Sequence, residues 1–199
     1  MSDFTLQQLD DAYQDYFSIE HAISLNARPL DIALPDAAAL QNAIPAPFLM
    51  ASEASSLNNS ALRALNRLGE LAEELALYLQ QQARKIDLLL QYVLQQQDNN
   101  SQRYHTLSYG GSGCCFLADT AMAPLQVLEL KIFLDNNDGA VFCYGQVLSC
   151  EPAADGQWQI KVVFNRIRDE DRELIVRASL HQQSRLLKQK ADQRQQKNS

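Results

Sequence analysis

The chain has 199 residues, 46% of them hydrophobic, and a formal net charge of −7, enough apolar content for one buried core and a single domain. That acidic balance argues against nucleic acid as a partner, because affinity for phosphate backbones rests on clustered Lys and Arg. No apolar stretch is long enough to span a bilayer and no apolar run follows a basic start, so a cytoplasmic protein without membrane insertion is expected.

Charge is unevenly placed. Residues 1–60 hold eight acids and one base, Arg28, whereas residues 177–199 hold six bases and one acid, Asp192. The basic end reads as a solvated helix terminus whose cations complement the helix dipole, with anion binding as the other reading. The four cysteines, Cys114, Cys115, Cys143 and Cys150, form no CxxC pair, and the three histidines are scattered. No metal site is expected, and the cysteines read as reduced, buried small hydrophobes.

Residues 4–17 carry apolar positions at near-helical spacing. Ile19, His21, Ile23 and Leu25 then fall two apart, the period of a half-buried strand closed by Pro29 and Pro35. Asp36 is placed to cap a short helix in "DAAALQNAI", which Pro45 and Pro47 stop.

Between Ser60 and Gln97 there is no proline and one glycine, Gly69. Steps of three and four residues meet Leu65, Leu68, Ala72, Leu75, Leu79, Gln82, Ile86, Leu89, Val93 and Gln96, of which only the glutamines are polar. This is the pattern of a coiled-coil seam. About 36 residues at ~1.5 Å each make a rod of roughly 54 Å, longer than a 100-residue domain is wide, given a radius of gyration near ~13 Å. The seam therefore needs cover that its own chain cannot supply, and another copy is the expected partner. Polar Gln82 and Gln96 read as register-fixing interruptions. A weaker stripe, Leu71, Tyr78, Leu88 and Tyr92, offers contact with the β domain or a third helix as the alternative to self-association.

The second half is strand-rich. "GCCFLAD", "QVLELKIFL", "AVFCYGQVLSC" and "QWQIKVVFN" are separated by turn signals at Ala123-Pro124, "DNNDG" and "AADG", a spacing that predicts an antiparallel barrel or sandwich. Beyond Asn165 a helical stripe returns at Leu174, Ile175, Ala178 and Leu186, with Asp169 as the expected N-cap and a Gln/Lys-rich tail that frays.

The stretch "TLSYGGSGCCFLAD" poses the functional question. Ser108 lacks the preceding glycine of a nucleophile elbow, and no lysine follows the glycines as a phosphate-binding loop requires. HExxH and EF-hand patterns are absent as well. No catalytic residue can be assigned, and the chain reads as a non-enzyme.

With Thr106, Ser108 and Gly111 followed by these strands and a terminal amphipathic helix, the sequence resembles the PilZ family. Its members carry a [D/N]-x-S-x-x-G motif on a β-barrel, which works with an upstream R-x-x-x-R to bind cyclic di-GMP. Ser108 and Gly111 match the motif, while Thr106 stands where Asp or Asn is expected. The arginine pair is missing, for the segment before the first strand reads Tyr13-Gln14-Asp15-Tyr16-Phe17. The interposed heptad helix resembles the atypical, tetramer-forming subgroup of that family. The resemblance implies an α+β protein: a PilZ-like antiparallel barrel (10–35 and 101–167), a helical insertion (36–98), a C-terminal amphipathic helix (168–192) and a frayed tail (193–199).

Each arginine–phosphate contact is worth roughly 1.5–3 kcal/mol. Losing two costs about 3–6 kcal/mol, or on the order of 10²- to 10⁴-fold in affinity. The expectation is thus the fold without its customary ligand and without any cofactor. The glycines would then serve a barrel corner by positive φ and close packing. The alternative is a cyclic di-GMP receptor with a degenerate site of Arg103, Thr106, Ser108 and Gly111. By resemblance, such a protein is a signalling adaptor that meets itself and an unidentified signalling protein, and affects motility, type IV pili or virulence.

Overall fold

A computed structural model describes residues 4–53, 73–135 and 138–197. Helix α1 (Leu6–Gln14) opens on a capping box, in which the Thr5 hydroxyl accepts from Gln8 N and the Gln8 amide oxygen accepts from Thr5 N. Strands β1 (Ser18–Glu20) and β2 (Ser24–Leu30) follow. Asp36 caps α2 (Ala37–Ala43) by accepting from Ala39 N at 2.8 Å, and a further helix, α3, is described over residues 46–53. Helix α4 (Glu73–Gln95) comes next. The remainder is β3 (Arg103–Gly110), β4 (Gly113–Ala118), β5 (Val127–Phe133), β6 (Ala140–Pro152), β7 (Trp158–Arg166) and α5 (Asp169–Lys197).

The sheet runs β1-β3-β2-β5-β6-β7-β4, and β4 returns to pair with β3. Every pairing is antiparallel, so the sheet closes on itself into a barrel. The strands β1 and β2 lie along the same neighbour: Ile19 faces Tyr109 and Leu25 faces Tyr104 on β3. They are two halves of one strand, broken at residues 21–23. The single strand expected through Ile19, His21, Ile23 and Leu25 is therefore split, and closure leaves few open edges.

The interior is filled by alternate residues of each strand, among them Leu25, Phe116, Leu128, Leu130, Val141, Cys143, Ile160 and Val162. Leu174, Ile175 and Ala178 of α5 join the same core. Strand β6 is buried on both sides. Val141, Cys143 and Val147 enter the barrel, whereas Ala140, Phe142 and Tyr144 pack outside it against Leu40, Ile44, Phe48, Ala51 and Leu94. Burial on two faces is why "AVFCYGQV" is an apolar run rather than an alternation. Residues 36–53, counted in the helical insertion from sequence, thus lie on the barrel's outer wall.

Helix α5 starts at Asp169 itself, so Asp169 is a first-turn residue rather than the cap. Its turn holds Asp171, buried against Arg168 at 2.7 Å. Desolvation raises the Asp171 pKa despite that guanidinium. Cys114, Cys115 and Cys143 are free and buried, and burial pushes all three thiols up. Among the described residues no helix is long and apolar enough to cross a membrane.

Candidate functional site

Two places combine chemistry with unusual geometry: the glycine turn joining β3 to β4, and the outer face of α4.

The motif residues are held apart and occupied. Arg103 opens β3 and pairs with Asp98 at 2.5 Å, while Asn26 donates to the same carboxylate at 2.8 Å. Desolvation pushes Asp98 up, but the hydrogen bonds from Arg103 and Asn26 outweigh it, and its pKa is lowered. Ser108 sits five residues along the strand from Arg103, about 17 Å at ~3.4 Å per residue. The fold does not bring Arg103 to the serine.

Thr106 is 3% exposed and is consumed by the strand break. Its Oγ1 accepts from Ile23 N at 3.0 Å and donates to the His21 carbonyl at 2.7 Å. The interruption between β1 and β2 leaves those two backbone groups without ladder partners, and one hydroxyl serves both. No sequence pattern signals this role.

The turn is roofed by the end of α1 and the residues after it. The Ser108 side chain lies close to the Tyr13 phenol, whose pKa is pushed up to about 12, chiefly by burial. Ser112 Oγ donates to the Tyr13 carbonyl at 2.7 Å. A Cβ at Gly111 would come within 2.7 Å of both the Tyr16 ring and Val176, and one at Gly113 within 2.1 Å of the Val162 carbonyl. Arg172 of α5 donates to the Gly111 carbonyl, and its guanidinium lies 5.4 Å from the centroid of the Tyr16 ring. Positive φ occurs at Gly139 and Gly156, not in this turn. The expectation of a left-handed corner is corrected: these glycines admit close neighbours, and their φ is ordinary. The segment Tyr13–Phe17, where the arginine motif is absent, is what covers them.

Helix α4 offers the second feature. Leu75, Leu77, Tyr78, Leu79, Ile86, Leu88, Leu89, Tyr92 and Val93 are all exposed, Leu89 at 68%. At ~100° per residue these side chains span an arc of about 200°. The opposite side meets the body of the protein: Leu94 is buried, and Asp87, Leu90 and Leu94 border a groove with Ala51, Phe133 and Leu134. The second stripe, offered as a contact for the β domain or a third helix, is exposed at Tyr78, Leu88 and Tyr92. Leu65, Leu68, Leu71 and Ala72 lie outside the described residues.

The fold is a closed antiparallel barrel with a C-terminal helix packed into its core. The family model for the PilZ domain matches residues 79–181, more than half of the chain, and the chain belongs to that family. Comparison with curated proteins gives no match. Among solved structures, it is similar to a Xanthomonas campestris protein described as a tetrameric PilZ domain self-assembled via a helical bundle. Identity is 18%, coverage is 87% of this chain and 91% of that one, and the TM-score is 0.50. It is also similar to the Bacillus subtilis inhibitor of motility MotI/DgrA (7% identity, 86% and 52% coverage, TM-score 0.47). A third likeness is to K. pneumonia MrkH (14% identity, 46% and 44% coverage, TM-score 0.40). The chain spans about half the length of these last two proteins.

Proposed function

We propose that this protein is a non-enzymatic PilZ adaptor of cyclic di-GMP signalling that assembles with copies of itself through α4 and has lost the customary ligand. It belongs, in this reading, to the oligomer-forming subgroup with an inserted heptad helix. The observation that carries the proposal is the apolar arc of α4 from Leu77 to Val93, left exposed among the described residues. Burying one such Leu side chain is worth about 1.5–3 kcal/mol, so a shared bundle is strongly favoured over an exposed rod. A two-stranded coiled coil covers only a narrow a/d seam, and an arc of about 200° calls for neighbours on both sides. That favours a bundle of more than two helices, in line with a tetramer.

Loss of the ligand is supported at the turn. The segment Tyr13–Phe17 that covers the turn holds no arginine, Thr106 is engaged by backbone, and Arg103 is paired at the far end of β3. The adaptor would act by presenting several barrels at once to a signalling protein in the cytoplasm, with motility or pili as the behaviour regulated.

Sedimentation with and without cyclic di-GMP tests both parts. The expected result is one assembled species that the nucleotide leaves unchanged, reduced to a folded single subunit by Tyr78→Lys with Leu89→Lys. Micromolar nucleotide binding abolished by Ser108→Ala would instead establish the receptor reading.

A further inference from the structure

Beside the roofed turn, α5 and Tyr16 enclose a groove of about 400 Å³. Its apolar lining is Tyr16, Val176 and Leu180, and its polar lining is Arg172, Glu173, Arg177 and His181. Three of these four polar groups can be accounted for without a ligand. Arg172 is committed to the Gly111 carbonyl and the Tyr16 ring, His181 lies 3.5 Å from Asp138, and Glu173 is exposed to water. Arg177 is different: it is half-buried and, among the described residues, has no hydrogen-bond or ion-pair partner. Glu173, one helical turn before it, is not within ion-pair reach.

A half-buried guanidinium over apolar surface is a receptor for a carboxylate, since a charge-assisted, bidentate pair there gains more than it would in open water. The groove is too open for a small molecule. Ligand pockets enclose most of what they bind, whereas Tyr16 is 42% and Leu180 50% exposed. Its apolar line also continues along α5. Val176, Leu180 and exposed Leu187 fall on one face of the helix at 3.6 residues per turn, over about 16 Å. A short peptide segment has that length.

We infer that this groove is the adaptor's docking site for a partner protein segment carrying an Asp or Glu beside a bulky apolar side chain, the carboxylate on Arg177 and the apolar group on Tyr16, Val176 and Leu180. The inference rests on the adaptor reading above and deepens it by naming the surface and the partner's chemistry. Charge complementarity carries it: this is a cationic groove on a chain of net charge −7, with one cation left unmatched.

The test is selection of displayed random 12-residue peptides against the full chain, followed by fluorescence anisotropy of the selected peptides. Selected sequences should share an acidic residue flanked by Leu, Phe or Trp. Arg177→Glu should weaken them at least about tenfold, and replacing their acid by Lys should recover affinity for that variant. Leu180→Ser, at an exposed position, should weaken them without altering the fold seen by circular dichroism. The inference is overturned if selected peptides lack the acid, or if they bind Arg177→Glu undiminished. It is equally overturned if Arg177→Glu changes the sedimenting species, which would make the occupant a second copy, or if cyclic di-GMP competes with the peptides. Failure of peptide binding with assembly intact and the nucleotide silent removes the groove and leaves the adaptor reading standing.

Discussion

The guanidinium of Arg172 donates to the carbonyl oxygen of Gly111, tying the C-terminal helix to the turn between β3 and β4. Because the same guanidinium lies over the Tyr16 ring, three distant segments share one side chain: the residues just after α1, the glycine turn and α5.

Arg172→Ala should therefore cost more than a surface arginine does. A hydrogen bond from a charged donor contributes about 1.5–3 kcal/mol, and the cation–π contact adds roughly 0.5–1 kcal/mol. Urea unfolding should show a lower midpoint with an unchanged slope. Arg172→Lys should recover only part, since an ammonium cannot span both contacts as a planar fork does.

Gly111→Ala should destabilise by about 1–3 kcal/mol through overpacking, as its Cβ would meet Tyr16 and Val176 at 2.7 Å. Tyr16→Ala in the same chain should return part of that loss. A double-mutant cycle by thermal unfolding reads the coupling, and simple additivity would show that the ring is not what limits the turn.

Thr106→Val keeps the shape and removes the hydroxyl. Ile23 N–H and the His21 carbonyl would then lose their side-chain partner at the strand break, at a cost of about 1–3 kcal/mol. Thr106→Ser should cost less, because it retains both bonds. Hydrogen exchange at the Ile23 amide, expected to accelerate in Thr106→Val alone, localises the effect.

The width of the α4 arc separates two kinds of assembly. Tyr78→Lys with Leu89→Lys strikes the centre of the arc and should abolish association. Leu88→Lys with Tyr92→Lys strikes one flank and should leave a smaller oligomer. All four positions are exposed, so the barrel's own unfolding should change by no more than about 0.5 kcal/mol. Light scattering after size exclusion reads both outcomes.

Asp98 makes acid stability partly specific to one pair. Desolvation opposes its charge, yet bonds from Arg103 and Asn26 prevail and its folded pKa lies below 3.8. A depressed carboxylate stabilises fully above its unfolded pKa, and that contribution is lost as pH falls through the folded value. Wild type should exceed Asp98→Asn in unfolding free energy above about pH 4, near the unfolded Asp pKa, and the gap should narrow at more acid pH. A gap constant down to pH 2 would remove Asp98 as the cause.

Local pattern made much of the architecture legible. The helix over Glu73–Gln95, the cap at Asp36 and the run of antiparallel strands all follow from periods and turn residues within a few positions of one another. Three features were beyond reach, two of them because they depend on groups brought together across long separations. Thr106 bonds residues more than eighty positions away. Tyr13 and Tyr16 cover a turn roughly a hundred residues later. Arg103, adjacent to the motif in sequence, is carried away from it because an extended strand advances about 3.4 Å per residue.

The sequence by itself determined where the chain is helical or extended, and that α4 carries an apolar stripe, because periodicity is a property of neighbouring residues. Tertiary structure alone decided which faces of β6 and α4 are buried, that Thr106 bridges a broken strand, and that aromatic rings close over the glycine turn. Burial and backbone pairing are properties of the closed barrel, and they exist only once its first and last strands have met.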